Sequence, residues 1–256
     1  MMSQDSLVML LRSVNLPSCA RYYQEVPDKA ESEGWNLVQY LRHLVEMEIE
    51  ARRLGKIERL LKASHLPSGK TLATLDVSRF SAKIRRQLPT LCEGHFLERS
   101  ENILAFGLPG RGKTHLVSAI GHELVQRGHS VLFVPAYRLV QGLLAAKRDL
   151  ALEREMRRLD RFDAVIIDDI GYVQQQQEEM EVLFTFLAER YERRSVLITS
   201  NLVFSQWDKI FKDPMTTAAA IDRIVHHCTI LELTGSSYRT DNALNQGHKE
   251  TVSKEG

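Results

Sequence analysis

The sequence predicts an α/β protein: a three-layer α/β/α domain on a five-stranded parallel sheet, preceded by a small all-helical domain. Three observations predict it. From about residue 100, short apolar runs rich in β-branched residues alternate with longer helical patterns, the signature of a parallel sheet with helices on both faces. A glycine-rich loop, Gly107–Thr114, separates the first of those runs from the first of those helices. Residues from about 5 to 65 carry apolar side chains at helical spacing, broken by prolines.

In the helical segment, Leu7, Leu10 and Leu11 begin an apolar stripe, and Trp35–Leu61 continues it through Leu37, Leu41, Leu44, Val45, Ile49 and Leu54. The stripe reads first as that domain's own core, with a docking surface as the alternative. Pro17, Pro27 and Pro67 mark helix boundaries, and His65–Thr74 reads as a linker. Strands are expected at Ile103–Phe106, Val131–Val134, Ala164–Ile167, Val196–Thr199 and Thr229–Leu233, because runs of four or five apolar residues suit strands buried on both faces. Helices are expected at Lys113–Gln126, Tyr137–Arg158, Glu178–Glu192 and Thr216–His226. A short glutamine run, Gln174–Gln177, heads the third of these, and the tail after Arg239 is polar and expected to be disordered. The expected domains are 1–66 (helical, for DNA or a partner), 67–99 (linker and entry to the core), 100–240 (the α/β domain) and 241–256 (polar tail).

Composition narrows the function classes. With 256 residues, 43% of them hydrophobic and 26% charged, the chain can bury one sizeable core and a smaller one. No stretch approaches the ~18 apolar residues of a membrane span. The N-terminus has neither the basic region nor the apolar run of a secretory signal, so a cytoplasmic location is expected. Cys19, Cys92 and Cys228 lie far apart in odd number, which argues for free thiols over a disulfide framework or a zinc site. His226-His227-Cys228 could suggest a metal, but adjacent ligands at a helix end point apart and no further cluster accompanies them, so the run reads as structural.

The loop carries the chemistry. Gly107-Leu108-Pro109-Gly110-Arg111-Gly112-Lys113-Thr114 satisfies G-x-x-x-x-G-K-[ST] at every fixed position, after an apolar strand and at the head of a helix. Its glycines let the backbone curl so that N–H groups face phosphate oxygens. Lys113 brings a point charge to the β- and γ-phosphates, Thr114 offers a hydroxyl to Mg²⁺, and His115 follows at the head of the helix, whose terminus adds partial positive charge. A nucleotide is therefore the expected ligand.

Ala164-Val-Ile-Ile-Asp168-Asp169 ends a buried strand in two carboxylates, at the sheet edge where open α/β sheets bind ligands. Asp168 would hold Mg²⁺ and Asp169 would polarise the attacking water, although an Asp pair after a strand also serves as a helix cap. Asn201, at the end of Val196-Leu-Ile-Thr-Ser-Asn, can orient that water, or simply end its strand. Arg223, in Ala220-Ile-Asp-Arg-Ile-Val, lies on the helix before the last strand and otherwise reads as a surface ion-pair partner.

Together these elements resemble the AAA+ ATPases. The wording of GLPGRGKTHL, VIIDDIGYV, VLITSNLVFSQW and AAIDRIVHHC…GSSYR is similar to the IstB branch, the ATP-binding helpers of transposition, over about residues 5 to 239. The resemblance implies an AAA+ P-loop fold with Gly107–Thr114 as Walker A and Asp168 and Asp169 as Walker B. It implies Asn201 as sensor 1, Arg223 as an arginine finger acting on a neighbouring subunit's ATP, and Arg239 as a further nucleotide or subunit contact. Arg111 departs from the small or β-branched residue usual in its slot. Asp169 replaces the usual Glu and is one methylene shorter, which implies slow hydrolysis. Little chain follows the last expected strand, less than the helical lid of many AAA+ proteins needs.

Between Arg52 and Arg86 there are ten Lys or Arg residues against Glu58 and Asp76. Arg52, Lys56, Arg59 and Lys62, with Arg53 beside them, form one basic helix face, either a solvated surface or a contact for duplex DNA phosphates. The resemblance favours duplex DNA bound without sequence specificity, a partner transposase, and a homo-oligomer with ATP at its subunit interfaces. A replicative helicase loader of the DnaC type shares this ATPase core and is the alternative. A metabolic P-loop kinase is less well served, since no clear set of acceptor-site residues or lid arginines stands out.

Overall fold

The computed structural model describes residues 4–172, 177–202, 206–207 and 214–234. Five strands, β1 (Asn102–Phe106), β2 (Val131–Pro135), β3 (Ala164–Asp168), β4 (Ser195–Ser200) and β5 (Cys228–Glu232), form one sheet in the order β2-β3-β4-β1-β5. Every neighbouring pair is parallel. The five-stranded parallel sheet expected from the sequence is therefore present, each strand within one or two residues of its expected place.

Strand alternation sorts the core into two faces. Leu104, Phe106, Val165, Ile167, Val196 and Ile198 join one apolar cluster with Leu139, Leu143, Leu183 and Phe186. Those partners lie on α8 (Ala136–Arg148) and α10 (Gln177–Arg190). Residues of opposite parity turn to the other face, where α7 (Lys113–Gln126) packs so tightly that a Cβ on Gly121 would stand 2.8 Å from Ile166 Cδ1. Because both faces are covered, β1, β3 and β4 carry almost no polar side chain before their ends.

The expected helix Tyr137–Arg158 is two helices. α8 ends at Arg148 and α9 (Leu152–Leu159) follows, with Leu150 in the left-handed region at φ 54°. Ala151 N–H reaches back to Ala146 O at 2.8 Å, which closes α8 in the manner usually reserved for a glycine. A leucine in that role leaves no breaker for sequence reading to find. Arg190, almost wholly buried, ties the next layer by donating to the carbonyls of Leu159, Phe162 and Ser195 at 2.9–3.0 Å. Burial pushes its pKa down to about 10.

The segment expected as linker is largely ordered turn and helix. Leu72–Thr74 and Val77–Arg79 form 3₁₀ turns, α5 (Ala82–Glu93) starts on a Ser81 cap, and α6 (His95–Glu98) follows Gly94. Gly94 takes φ 86°, and a Cβ there would meet Leu124 Cδ2 at 2.8 Å. The helix before β5 is α11 (Pro214–Val225), whose Ala220 and Ile224 join the apolar cluster of α8 and α10. Asn102, buried, spans from Ile224 O to Val196 N–H and fastens the end of α11 to β1 and β4.

By its contacts the chain divides into two units, 1–59 and 60–256. The first contains α1 (Gln4–Ser13), α2 (Pro17–Tyr22), α3 (Val26–Ser32) and most of α4 (Leu37–Ser64). Its apolar stripe is not mainly core: Leu44 is buried, but Leu37, Val38, Leu41, Ile49 and Leu54 are all more than half exposed. Three helices of ten, six and seven residues leave much of a 28-residue helix uncovered. The buried Glu48 accepts from Ser18 N–H at 2.7 Å and Cys19 N–H at 3.4 Å, capping α2, and pairs with Arg52 at 2.9 Å. Burial works to raise its carboxyl, but Arg52 and the two amides outweigh it and hold the pKa below the ordinary glutamate value of 4.5. A lowered pKa contributes stability above pH 4.5 that is lost as pH falls through the folded value. The Ser18 and Cys19 amides are thus expected to lose hydrogen-exchange protection on acidification below that pH. In Glu48→Gln that pH dependence should vanish; an unchanged profile would exclude Glu48 as its source.

The three cysteines are free, as expected. Burial pushes the Cys92 and Cys228 thiols up to about 11, leaving both protonated. Among the described residues, no helix is long and apolar enough to cross a membrane. Most of the glutamine run, Phe204, Arg239 and the polar tail lie outside the described residues.

Candidate functional site

Sheet order decides which strand ends meet. β4 lies between β1 and β3, so the loop after Phe106, the carboxylates after Ile167 and the turn after Ser200 open side by side at the carboxyl edge. Gly107 must be glycine: it takes φ 152°, and a Cβ would lie 2.5 Å from Leu233 O. Gly110 and Gly112 take φ 80° and 88°, and Gly112 caps α7. Lys113 is 7% exposed, with Nζ donating to Gly107 O at 2.6 Å and Leu108 O at 3.1 Å. The loop's own carbonyls thereby hold the ammonium over the loop.

Thr114 and Asp168 meet directly, the hydroxyl donating to Asp168 Oδ1 at 2.8 Å. Thr199 on β4 donates to the same oxygen at 2.7 Å and accepts from Asp169 N–H at 2.8 Å. That second bond holds Asp169 in the left-handed region at φ 65°, a costly setting for a residue other than glycine. Asn201 stands close by, its Oδ1 without a hydrogen-bond partner among the described residues and only 2.2 Å from where a Cβ on Gly171 would be. Gly171 is thus required for Asn201 to reach the site.

Beside the Asp168–Thr199 pair lies a cavity of about 500 Å³, roughly the size that a nucleotide-like ligand fills. Pro109 to His115, Asp169 and Asn201 line one side. The other side was not anticipated: Lys70, Thr74, Leu75, Asp76, Arg79 and Phe80, from the supposed linker, complete the wall. Sequence reading missed it because 3₁₀ turns leave no apolar periodicity, and Lys70 and Arg79 counted only as part of a basic run. His115 links the two walls, its Nε2 3.2 Å from Thr71 O and 3.1 Å from Thr74 Oγ1. Burial, countered by the Thr71 carbonyl, lowers its pKa, so the ring is neutral at pH 7. One turn pair further along α7, His122 Nε2 makes the same kind of contact with Pro67 O at 3.0 Å.

Arg223 is not brought into this cavity. Its guanidinium stands 4.7 Å over the Phe184 ring, and its Nη1 has no hydrogen-bond partner among the described residues. Arg239 lies outside the described residues. On α4, Arg52, Arg53, Lys56, Arg59 and Lys62 are all exposed. Arg53 forms a two-pronged pair with Glu50 at 2.8 Å, Arg52 pairs with Glu48, and Arg59 Nε donates to Gly55 O at 3.1 Å. Two of the five charges are therefore offset by acids just upstream of the basic run.

With this geometry in place, the comparisons with known proteins are specific. A family model described as IstB-like ATP binding protein matches residues 9–246. An insertion sequence ATP-binding protein of Sinorhizobium fredii is 41% identical over 93% of this chain and 80% of its own length. The ATP-binding protein of insertion sequence IS21 from Pseudomonas aeruginosa is 36% identical over 91% and 88%. Among solved structures, AMPPCP-bound DnaA from Aquifex aeolicus superposes with a TM-score of 0.57 at 16% identity, over 73% of this chain and 57% of its own. DnaI follows at 0.55 and 21%, over 67% and 96%. At those identities the structural likeness shows the fold alone.

Proposed function

Because the chain belongs to the IstB-like ATP-binding family, we propose that it is an ATP-hydrolysing helper of DNA transposition, acting on duplex DNA with a partner transposase. The observation that carries the ATPase reading is the Thr114–Asp168–Thr199 hydrogen-bond chain beside the glycine loop. Loop amides and Lys113 would hold the β- and γ-phosphates, while the wall at Lys70–Phe80 would receive the nucleoside. The paired hydroxyl and carboxylate oxygens of Thr114 and Asp168 suit a hard divalent cation, and Mg²⁺ held there would neutralise charge on the phosphates.

Asp169 would take the proton of the water that attacks the γ-phosphorus in line, and Asn201 would orient that water. The left-handed backbone at Asp169, bonded by Thr199, would set where its short side chain reaches. Arg223, placed away from its own cavity, would serve the ATP of an adjacent subunit. Arg223→Ala is then expected to keep ATP affinity and lose turnover by about 10³-fold, the usual scale for an arginine finger. Turnover equal to wild type would remove Arg223 from the mechanism.

The relatives at 41% and 36% identity are proteins of insertion sequences, which favours the transposition reading over helicase loading. In this reading residues 1–66 meet DNA or the partner, and Lys56 and Lys62, exposed on α4 with Arg59, supply charge for duplex phosphates. Sedimentation with ATP on duplex and on single-stranded DNA of equal length tests it. Oligomers forming preferentially on the duplex are expected, with affinity falling steeply with salt; a preference for single strands would favour the loader instead.

A further inference from the structure

We propose a transition-metal site, separate from the nucleotide cavity, formed by Glu192, His226 and His227 and suited to Zn²⁺ or a similar divalent ion. One ligand atom from each of the three lies within 4.8 Å of the other two. Three atoms so spaced have a common centre at most about 2.8 Å away, so small side-chain rotations reach the ~2.0–2.1 Å of a metal–imidazole bond. Two imidazoles and one carboxylate, all exposed to solvent, make a three-ligand set with room for water.

The sequence argued against this site, on the ground that adjacent histidines on a helix point apart. His226 and His227 are past the helix, in the turn between α11 and β5, and their ring centroids are 4.1 Å apart. The third ligand comes from a distant stretch of chain, the turn after α10, which no local pattern could connect to them.

Two further observations favour a ligand. Tyr191 Oη lies 3.0 Å from His226 Nδ1. When Nδ1–H donates to that hydroxyl, the Nε2 lone pair of His226 is left for a metal, the outer-shell arrangement that orients metal-bound histidines. Glu192 itself is in the left-handed region at φ 57°, where glycine or asparagine is usual. The backbone on both sides is fixed: Arg193 and Arg194 N–H bond Arg190 O at 3.0 Å, His226 N–H bonds Asp222 O at 2.9 Å, and Asn102 N–H bonds His227 O at 2.8 Å. A bound metal would clamp the turn after α10 to the turn after α11, three residues beyond Arg223.

The test uses tag-free, nucleotide-free full chain stripped of metal, titrated with Zn²⁺ by calorimetry and with Co²⁺ by visible absorption. One equivalent is expected, undisplaced by excess Mg²⁺, with a melting temperature raised by about 5–10 °C at a hundred times Kd. His226→Gln, His227→Gln and Glu192→Gln should each weaken binding at least tenfold, and Tyr191→Phe by about tenfold. Glu192→Gly relieves the left-handed backbone, so it should fold at least as well while losing the metal. Cys228→Ser should bind as wild type. Absence of stoichiometric binding, equal binding by the His226 and His227 variants, or loss in Cys228→Ser would each overturn the site. No nucleotide enters the experiment, so its outcome is independent of the ATPase reading.

Discussion

Lys113→Ala is expected to remove measurable ATP binding, a loss of at least about 100-fold for a charge-assisted contact in a half-closed site. The side chain is buried at the loop, its ammonium held by Gly107 O and Leu108 O, so the charge is positioned before nucleotide arrives. Removing it leaves two loop carbonyls without their donor as well as the phosphates without their cation. Titration with a fluorescent ATP analogue measures the first effect, and a melting curve separates it from any loss of fold. Affinity within about threefold of wild type, where a single charged hydrogen bond alone is worth more, would sink the assignment of the phosphate site.

Thr199→Val should leave ATP binding nearly intact and lower turnover by about 100-fold, because a catalytic group misplaced by an ångström costs that much. Valine keeps the shape and the strand preference but removes the hydroxyl that donates to Asp168 Oδ1 and receives Asp169 N–H. Asp169 then loses the Thr199 bond to its left-handed backbone, and its part-buried amide loses that acceptor, costing about 1–3 kcal/mol of stability. Thr199→Ser should recover most of the turnover. Steady-state phosphate release by the two variants decides it: equal rates in Thr199→Val and wild type would show that Thr199 only packs.

The residues legible in the sequence are those whose chemistry is local. Gly107 to Thr114 form a continuous stretch in which backbone curl, charge and helix start are all specified within eight positions. Asp168 and Asp169 were legible because a run of apolar residues that ends in acid must place that acid at a sheet edge. Thr199 was read only as the last residue of a strand. Its role depends on β4 lying between β1 and β3, and strand order is set by long-range packing. The segment Lys70–Phe80 likewise reads only as part of the linker and entry to the core, since its cavity wall exists only once His115 and His122 meet the carbonyls of Thr71 and Pro67.

By itself the sequence determined the α/β alternation, the strand positions and the phosphate loop, because apolar period and turn chemistry act over a few residues. Tertiary structure decided the rest. It set the wall opposite the loop, the Thr199 bridge between the two aspartates, the removal of Arg223 from its own cavity, the exposed stripe of α4, and the meeting of Glu192 with His226 and His227. Each of these joins residues far apart in the chain or leaves a surface without a cover. Such outcomes follow from the order in which elements pack, which no window of neighbouring residues contains.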